Sequence, residues 1–176
     1  MSDEPTLRPP RHDDLAALHT VYSDERTWRH LPSGRFTEEH STAVLLQAWL
    51  AEWDETGLST WVVEVDGEVV GNAGAMPRGG WWNLGFRLAP EAWGRGIATD
   101  AVRRALDAAH DREPSWPVVA RSLEHNVASG RVSEAAGLRR VWSGLVPGVD
   151  QPESVRVIHA DRELEQGLLE SIVALG

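Results

Sequence analysis

Two stretches of this 176-residue chain hold residue types and spacings that can do chemistry. The first runs from Trp82 to Asp100: Trp-Asn-Leu-Gly-Phe-Arg-Leu-Ala-Pro-Glu-Ala-Trp-Gly-Arg-Gly-Ile-Ala-Thr-Asp. It reads as a strand, a glycine-rich turn and the start of a helix. The first amides of a helix have no partner inside it, and the positive end of its dipole lies there. Gly94 and Gly96 carry no side chain, so a ligand can come close to that backbone, and Arg95 sets a cation between them. The combination suits a diphosphate. Taken alone, such a turn can need glycine for its conformation only. A dinucleotide-binding fingerprint fits badly, because Thr99 stands three residues after Gly96, where glycine or alanine belongs.

The second stretch, Arg121 to Leu138, also reads as strand, turn and helix, closed by Gly137. Asn126 is a natural N-cap, and its side-chain amide could equally bond an amide-rich ligand. Ser129 and Arg131 fall in the first turns of that helix. The plain reading of Arg131 is a surface charge.

Composition removes other chemistries. The chain has no cysteine, which excludes disulfides, thiolate zinc sites and a cysteine nucleophile, and fits a cytoplasmic protein. All 17 basic residues are arginine, so Schiff-base chemistry and a lysine-bearing phosphate loop are excluded as well. A net charge of −10 argues against nucleic acid as a partner. No apolar run approaches the roughly 20 residues that span a bilayer. Met1-Ser2-Asp3-Glu4-Pro5 is acidic where a secretory signal would be basic and then apolar, so neither export nor a membrane is expected. The charge is uneven. Residues 1–60 hold 11 acids and 5 arginines, residues 61–149 hold 10 of each, and residues 150–176 hold 6 acids and 2 arginines. Either the acidic flanks are ordinary solvated surface, or the middle binds an anion while the flanks face a cation.

The elements that must position these stretches are read from periodicity. Thr6 to Arg8 predicts a short strand before two prolines. Asp13 and Asp14 open a helix, residues 23–36 form a loop, and Thr37 opens a second helix that Gly57 stops. Trp61 to Val65 and Glu68 to Ala75 are strands joined by an Asp66-Gly67 hairpin turn. Trp82 to Leu88 is a strand, a helix follows Gly96, and Val118 to Leu123 is the next strand. A short helix over Ala128 to Ala136 follows, then strands at Leu138 to Trp142 and Ser154 to His159. Leu164, Leu168, Leu169, Ile172 and Val173 form a last amphipathic helix. This order predicts a mixed α/β fold (α+β) with a largely antiparallel sheet. Residues 1–160 are expected to form the domain and 161–176 a helical extension. The extension could dock on the domain or pair with a second subunit, so monomer and homodimer both stay open.

Trp93-Gly94-Arg95-Gly96-Ile97-Ala98-Thr99-Asp100-Ala101-Val102, followed about 30 residues later by Asn126, Ser129, Arg131-Val132, Glu134 and Gly137-Leu138, resembles the GCN5-related N-acetyltransferase (GNAT) family. Leu7-Arg8-Pro9 and Pro90-Glu91-Ala92-Trp93 resemble its RimJ/RimL-like branch, which acetylates protein N-termini and small amines. The resemblance covers residues 6–160. It implies two central strands splayed apart with acetyl-CoA wedged between them. The strand through Phe86 and Leu88 would bond the pantetheine arm. Trp93, Gly94, Arg95, Gly96, Ile97, Ala98 and Thr99 would form the diphosphate turn. Asn126 would hold the pantetheine, Ser129 would lie by the thioester sulfur, and Arg131 would meet the adenine-ribose end. The acceptor pocket would be walled by the loop that carries Trp28, Arg29, His30 and Leu31, with Asn83 beside it. No metal is implied.

Departures from the family pattern limit the mechanism. Trp93 stands where glutamine or arginine is common, Asn83 where many relatives carry glutamate, and Ala135 and Ala136 where many carry tyrosine. The resemblance therefore implies direct attack of an amine on the thioester, with Ser129 handling the thiolate. His125, Glu124 and Glu64 are candidate bases, although Glu64 alternates with Val63 and Val65 like a solvent-facing strand residue. An N-terminal amine, with a pKa near 8, could react without a base. Two alternatives stand beside the transferase: an acyl-CoA-binding protein without catalysis, and a transferase of a longer acyl group such as succinyl, whose carboxylate Arg87 or Arg78 could meet.

Overall fold

Strand alternation gives the sheet two apolar faces, and each face meets its own set of helices. The computed structural model describes residues 4–145 and 155–175. Its strands are β1 (Thr6–Arg8), β2 (Thr60–Val65), β3 (Glu68–Pro77), β4 (Trp82–Leu88), β5 (Val118–Leu123), β6 (Arg139–Leu145) and β7 (Val155–Ala160). They form one sheet in the order β1-β2-β3-β4-β5-β7-β6. Every neighbouring pair is antiparallel except β4 and β5. The α/β architecture expected from the sequence is the one found.

Helices α1 (Leu15–Ser23), α2 (Glu39–Thr56) and α5 (Gln166–Ala174) cover one face. Leu18, Tyr22, Leu46 and Trp49 pack there on Val62, while Ile172 of α5 packs with Trp81, Val119 and Ile158. Helices α3 (Ile97–Arg112) and α4 (Val127–Ala135) cover the other face. The buried side of α3 is Ile97, Ala101, Val102, Ala105 and Ala109, small enough to let the helix lie close to the sheet. Val63, Ala73, Leu84, Leu88 and Ala120 meet that face.

Some boundaries move for local reasons. The loop expected over residues 23–36 holds two 3-10 turns, Glu25–Trp28 and Pro32–Gly34. Helix α2 begins at Glu39 rather than Thr37, after Glu38, whose side chain makes no capping bond. Strand β3 runs two residues past Ala75 to Pro77, which needs no amide at a strand end and pairs with Trp82. Strand β6 continues to Leu145 through its pairing with β7. Of the last expected strand, Ser154 lies outside the described residues, as do Met1 to Asp3 at the acidic start.

Candidate functional site: a cleft between two parting strands

The two parallel strands stay together for three residue pairs, Trp82 with Val118, Asn83 with Val119 and Leu84 with Ala120. Beyond them β4 follows β3 and β5 follows β7. The edges of Gly85–Leu88 and Arg121–Leu123 therefore face a gap, and backbone polar groups turned toward it need another partner. A cavity of about 840 Å³ occupies this gap. It is lined by both strand ends, by the turn before α3, by the start of α4 and by residues 26–31.

At one end lies the glycine turn. Gly94 and Gly96 have φ of +73° and +78°, and a Cβ at either would meet no atom within 4 Å. The backbone conformation, and the open space above it, account for glycine at both places. Asp100 is the first residue whose amide bonds back to the helix start, to the Gly96 carbonyl at 3.0 Å. The amides of Ile97, Ala98 and Thr99 thus lie at an uncapped N-terminus that lines the cavity. Trp93 lines it too, and its indole Nε1 donates to the Leu88 carbonyl at 2.9 Å, pinning the turn to the end of β4.

The β5–α4 corner forms one wall. The Asn126 side-chain oxygen accepts from the Ser129 amide at 3.3 Å, so Asn126 is the helix cap and keeps its NH2 group for other partners. Ser129 and His125 line the cavity. His125 Nε2 lies 2.8 Å from the His30 carbonyl. A carbonyl only accepts, so Nε2 carries the proton and Nδ1 is left as an acceptor.

The opposite wall is built on Trp28. Its ring is 7% exposed, donates from Nε1 to the Tyr22 carbonyl at 2.6 Å, and stacks on His30 and Phe36. Arg87 lies across it, with Cζ 3.5 Å from the ring centroid, and donates to the Thr27 carbonyl at 2.6 Å. Burial pulls Arg87 below the ordinary arginine value, partly offset by Tyr22. Burial likewise pulls His30 below the ordinary histidine value, helped by the positive charge of Arg87. The neutral imidazole is therefore the favoured form of His30 in this wall. Tyr22, distant in sequence, packs under this wall, and burial pushes its phenol up to about 12. Arg26 bridges Asp24 at 2.6 Å and Glu91 at 2.8 Å, which ties the residue 25–31 loop to the segment that leads into the glycine turn.

A family model for the acetyltransferase (GNAT) domain matches residues 6–139. This chain belongs to the GNAT family. It is similar to the FsC-acetyl coenzyme A-N(2)-transacetylase of Aspergillus fumigatus, 26% identical over 84% of this chain and 70% of that protein. Its fold is similar to the Salmonella typhimurium acetyl transferase that modifies the N-terminal serine of ribosomal protein L7/L12. That match has a TM-score of 0.72 at 17% identity, over 93% of this chain and 97% of that one. It is also similar to yncA of Salmonella typhimurium, solved with its cofactor acetyl-CoA. There the TM-score is 0.69 at 19% identity, over 92% and 96% of the two chains.

In this GNAT chain the cleft gathers most of the residues singled out in the sequence. Phe86, Leu88, Trp93, Gly94, Gly96, Ile97, Ala98, Thr99, Asn126 and Ser129 line it, as do His125, Trp28, His30 and Leu31. Five others do not line it, and one of them, the candidate base Glu124, accepts from Arg140 at 2.7 Å. Glu64 sits on β2, where Arg8 Nε donates to it at 2.8 Å. The same guanidinium holds buried Asp14 at 2.6 and 2.8 Å. This engagement, two strands from the gap, removes Glu64 from the candidate bases. Asn83 is held within the sheet and accepts from Arg121 Nε at 3.4 Å. Arg95 and Arg131 are exposed and stand outside the lining. Among the lining residues to which the sequence reading gave no role are two arginines on strands, Arg121 and Arg156. The signal for them was available: each interrupts an apolar strand segment, Val-Val-Ala-Arg and Val-Arg-Val-Ile, of a sheet whose interior tolerates no free charge.

Proposed function

We propose that this chain is an acetyl-CoA-dependent N-acetyltransferase of the RimL-like kind, acting on a primary amine in a ternary complex. The observation that carries the reading is the cleft itself. It runs from an uncapped helix N-terminus, through a gap between strand edges, to a wall of Trp28, His30 and Leu31. That sequence of surfaces suits a diphosphate, then an amide-bearing arm, then an acceptor.

The amides of Gly94 to Thr99 take the diphosphate, with Arg95 and Arg131 outside the cleft toward the adenine-ribose end. The edges of Phe86 to Leu88 and the free NH2 of Asn126 bond the pantetheine amides. The amine nitrogen attacks the acetyl carbonyl carbon, and a C–N bond forms. The C–S bond breaks, and its electron pair leaves on sulfur as the thiolate. His125 Nδ1 accepts the proton that the nitrogen sheds, directly or through water. The Ser129 hydroxyl donates a hydrogen bond to the thiolate, and the proton held on His125 passes to the sulfur, directly or through water, to leave the thiol and restore neutral His125.

Acetyl-CoA at about 100 times its Kd should stabilise the fold by roughly 2.7 kcal/mol, which a thermal-shift experiment reads. Thiol release with an amine panel then reports transfer. His125→Ala should lower kcat about 100-fold and leave stabilisation by acetyl-CoA in place. Absence of stabilisation would sink the cofactor reading. Stabilisation without thiol release from any amine would favour a binding protein over an enzyme.

A further inference from the structure

His125 can serve as a base at Nδ1 only while Nε2 holds the proton. What keeps the proton on Nε2 is the His30 carbonyl, 2.8 Å away. That oxygen belongs to the residue 25–31 loop, so the place of the loop sets the orientation of the imidazole. The Trp28 indole donates to the Tyr22 carbonyl at 2.6 Å, and the Thr27 hydroxyl donates to the Val21 carbonyl at 3.1 Å. Both acceptors lie on α1. These bonds fasten the loop to its own helix and leave its distance from the parting strands to other contacts.

Arg87 supplies such a contact. It stands on β4 beyond Leu84, where β4 and β5 have already parted, and His125 stands past the end of β5 on the opposite bank of the gap. Both line the cavity. Arg87 Nη1 donates to the Thr27 carbonyl at 2.6 Å, and its Cζ lies 3.5 Å from the Trp28 ring centroid and 5.3 Å from that of Tyr22. The loop is thus strapped across the gap, with Thr27 held to one bank and His30 to the other. Arg26 and Glu91 also tie the loop to the frame of the cleft, but both are exposed, and such pairs hold little. Arg87 is half-buried and its hydrogen bond is charge-assisted. Its side chain stands clear of the glycine turn. Directly paired residues share a face, and Arg87 pairs with Asn72, Asn72 with Val62, and Val62 packs under α1 and α2. The glycine turn opens α3 on the other face.

Resting on the reading of His125 as the base, we propose that Arg87 is a positioning residue for acyl transfer. By strapping Thr27 to β4 it holds the His30 carbonyl where that oxygen keeps the His125 proton on Nε2 and leaves Nδ1 for the amine. A catalytic base is commonly oriented by a third group, often a carboxylate. Here a backbone oxygen takes that place, and an arginine on the far bank governs where the oxygen lies. Acyl transfer itself is unchanged.

The test compares the wild type with Arg87→Met, which keeps a long side chain and its apolar contacts but no donor, and with Arg87→Lys, which keeps a donor for the Thr27 carbonyl. Imidazole 15N shifts of the protein alone, followed across a pH series, separate the two neutral tautomers, and the His125 signal is the one lost in His125→Asn. The wild type should show His125 with its proton on Nε2, and Arg87→Met should show a mixture. Thiol release from acetyl-CoA is measured with the amine of the panel that turns over fastest. In Arg87→Met kcat should fall at least about 10-fold, with KM for acetyl-CoA within about threefold. Arg87→Lys should recover part of both losses. Acetyl-CoA should still raise the Tm of both variants, which shows them folded. A wild-type His125 with its proton on Nδ1, an Arg87→Met protein that keeps the pure Nε2–H tautomer, or one whose only loss is in KM, overturns the proposal. Loss of the base reading looks different: His125→Ala releases thiol at the wild-type rate while the tautomer contrast persists, and the strap then serves no proton transfer.

Discussion

Gly71 offers a sharp test of what sets the spacing of the cleft. It has a φ of +144°, and a Cβ there would lie 2.1 Å from the Arg87 carbonyl oxygen and 2.9 Å from Leu88 Cα. Both atoms are backbone, and both belong to the part of β4 that walls the cleft. Real Cβ contacts essentially never fall below 3.0 Å, so β4 must retreat by roughly 1 Å in Gly71→Ala. Overpacking of this kind costs about 1–3 kcal/mol, and the positive φ adds about as much again. The sum, near 4 kcal/mol, corresponds to a Tm lower by about 8–16 °C for a chain of this size. Displacement of the strand edge should also cost about 100-fold in kcat/KM with acetyl-CoA. Gly85→Ala is the stability control on the same strand pair. Its Cβ would meet only Met76 Cε at 3.5 Å, so its Tm should stay within about 2 °C. Thermal melts of both variants with and without acetyl-CoA make the comparison. A Gly71→Ala protein that melts with the wild type and is stabilised equally by acetyl-CoA would refute the argument that β3 fixes the cleft wall.

Further outcomes follow from other parts of the molecule. Gly96→Asn keeps a residue that tolerates positive φ, so stability should change by about 1 kcal/mol or less, but a side chain now stands over the turn; calorimetry should find acetyl-CoA weakened at least 10-fold. Glu64→Gln should leave kcat within about twofold across a pH series, since Glu64 is engaged by Arg8 and not by the cleft; a loss of the acidic limb, the fall in rate at low pH, would restore it as a base. His159 is 3% exposed, and burial holds its imidazole below 6.5 against the weaker pull of Glu134. The unfolded chain then binds the extra proton first. Its contribution to stability is complete above about pH 6.5 and is lost as pH falls through the lowered value, with a slope of at most about 1.4 kcal/mol per pH unit. Urea melts between pH 7 and 5 should show that slope, and His159→Phe should flatten it.

The sequence makes the fold legible wherever one residue's neighbours decide its state. Alternation in Trp82 to Leu88 and helical spacing in Ala98 to Leu106 are local signals, and both elements stand where they point. Divergence of β4 from β5 is not local. It depends on how far two strands, some 30 residues apart in sequence, keep company before each follows its other neighbour. Periodicity holds no term for that, and only the family resemblance pointed to it. The same limit explains Glu64. Its alternation marks it as outward-facing, but Arg8, 56 residues earlier, is what engages it. Arg121 and Arg156 sit on different strands, and their convergence appears only when β5 pairs with β7. Tyr22 is far from Arg87 in the sequence, yet it forms the floor beneath Arg87 and Trp28.

The loop that carries Trp28 to Leu31 is fastened in an uneven way. Arg87 and His125 reach it from the sheet and from the β5–α4 corner, and both grip backbone oxygens, of Thr27 and His30. Every amino acid supplies that oxygen. His30 can therefore mutate without releasing its fastening, while the anchoring side chains stay put on the scaffold; Thr27 is buried and its hydroxyl also bonds the Val21 and Asp24 carbonyls, so its identity is less free. Selection, or a library of variants, is free to rewrite what the wall recognises at little risk to where the wall stands. Changes at Arg87 or His125 have no such freedom, because each would loosen the wall whatever residues it displays.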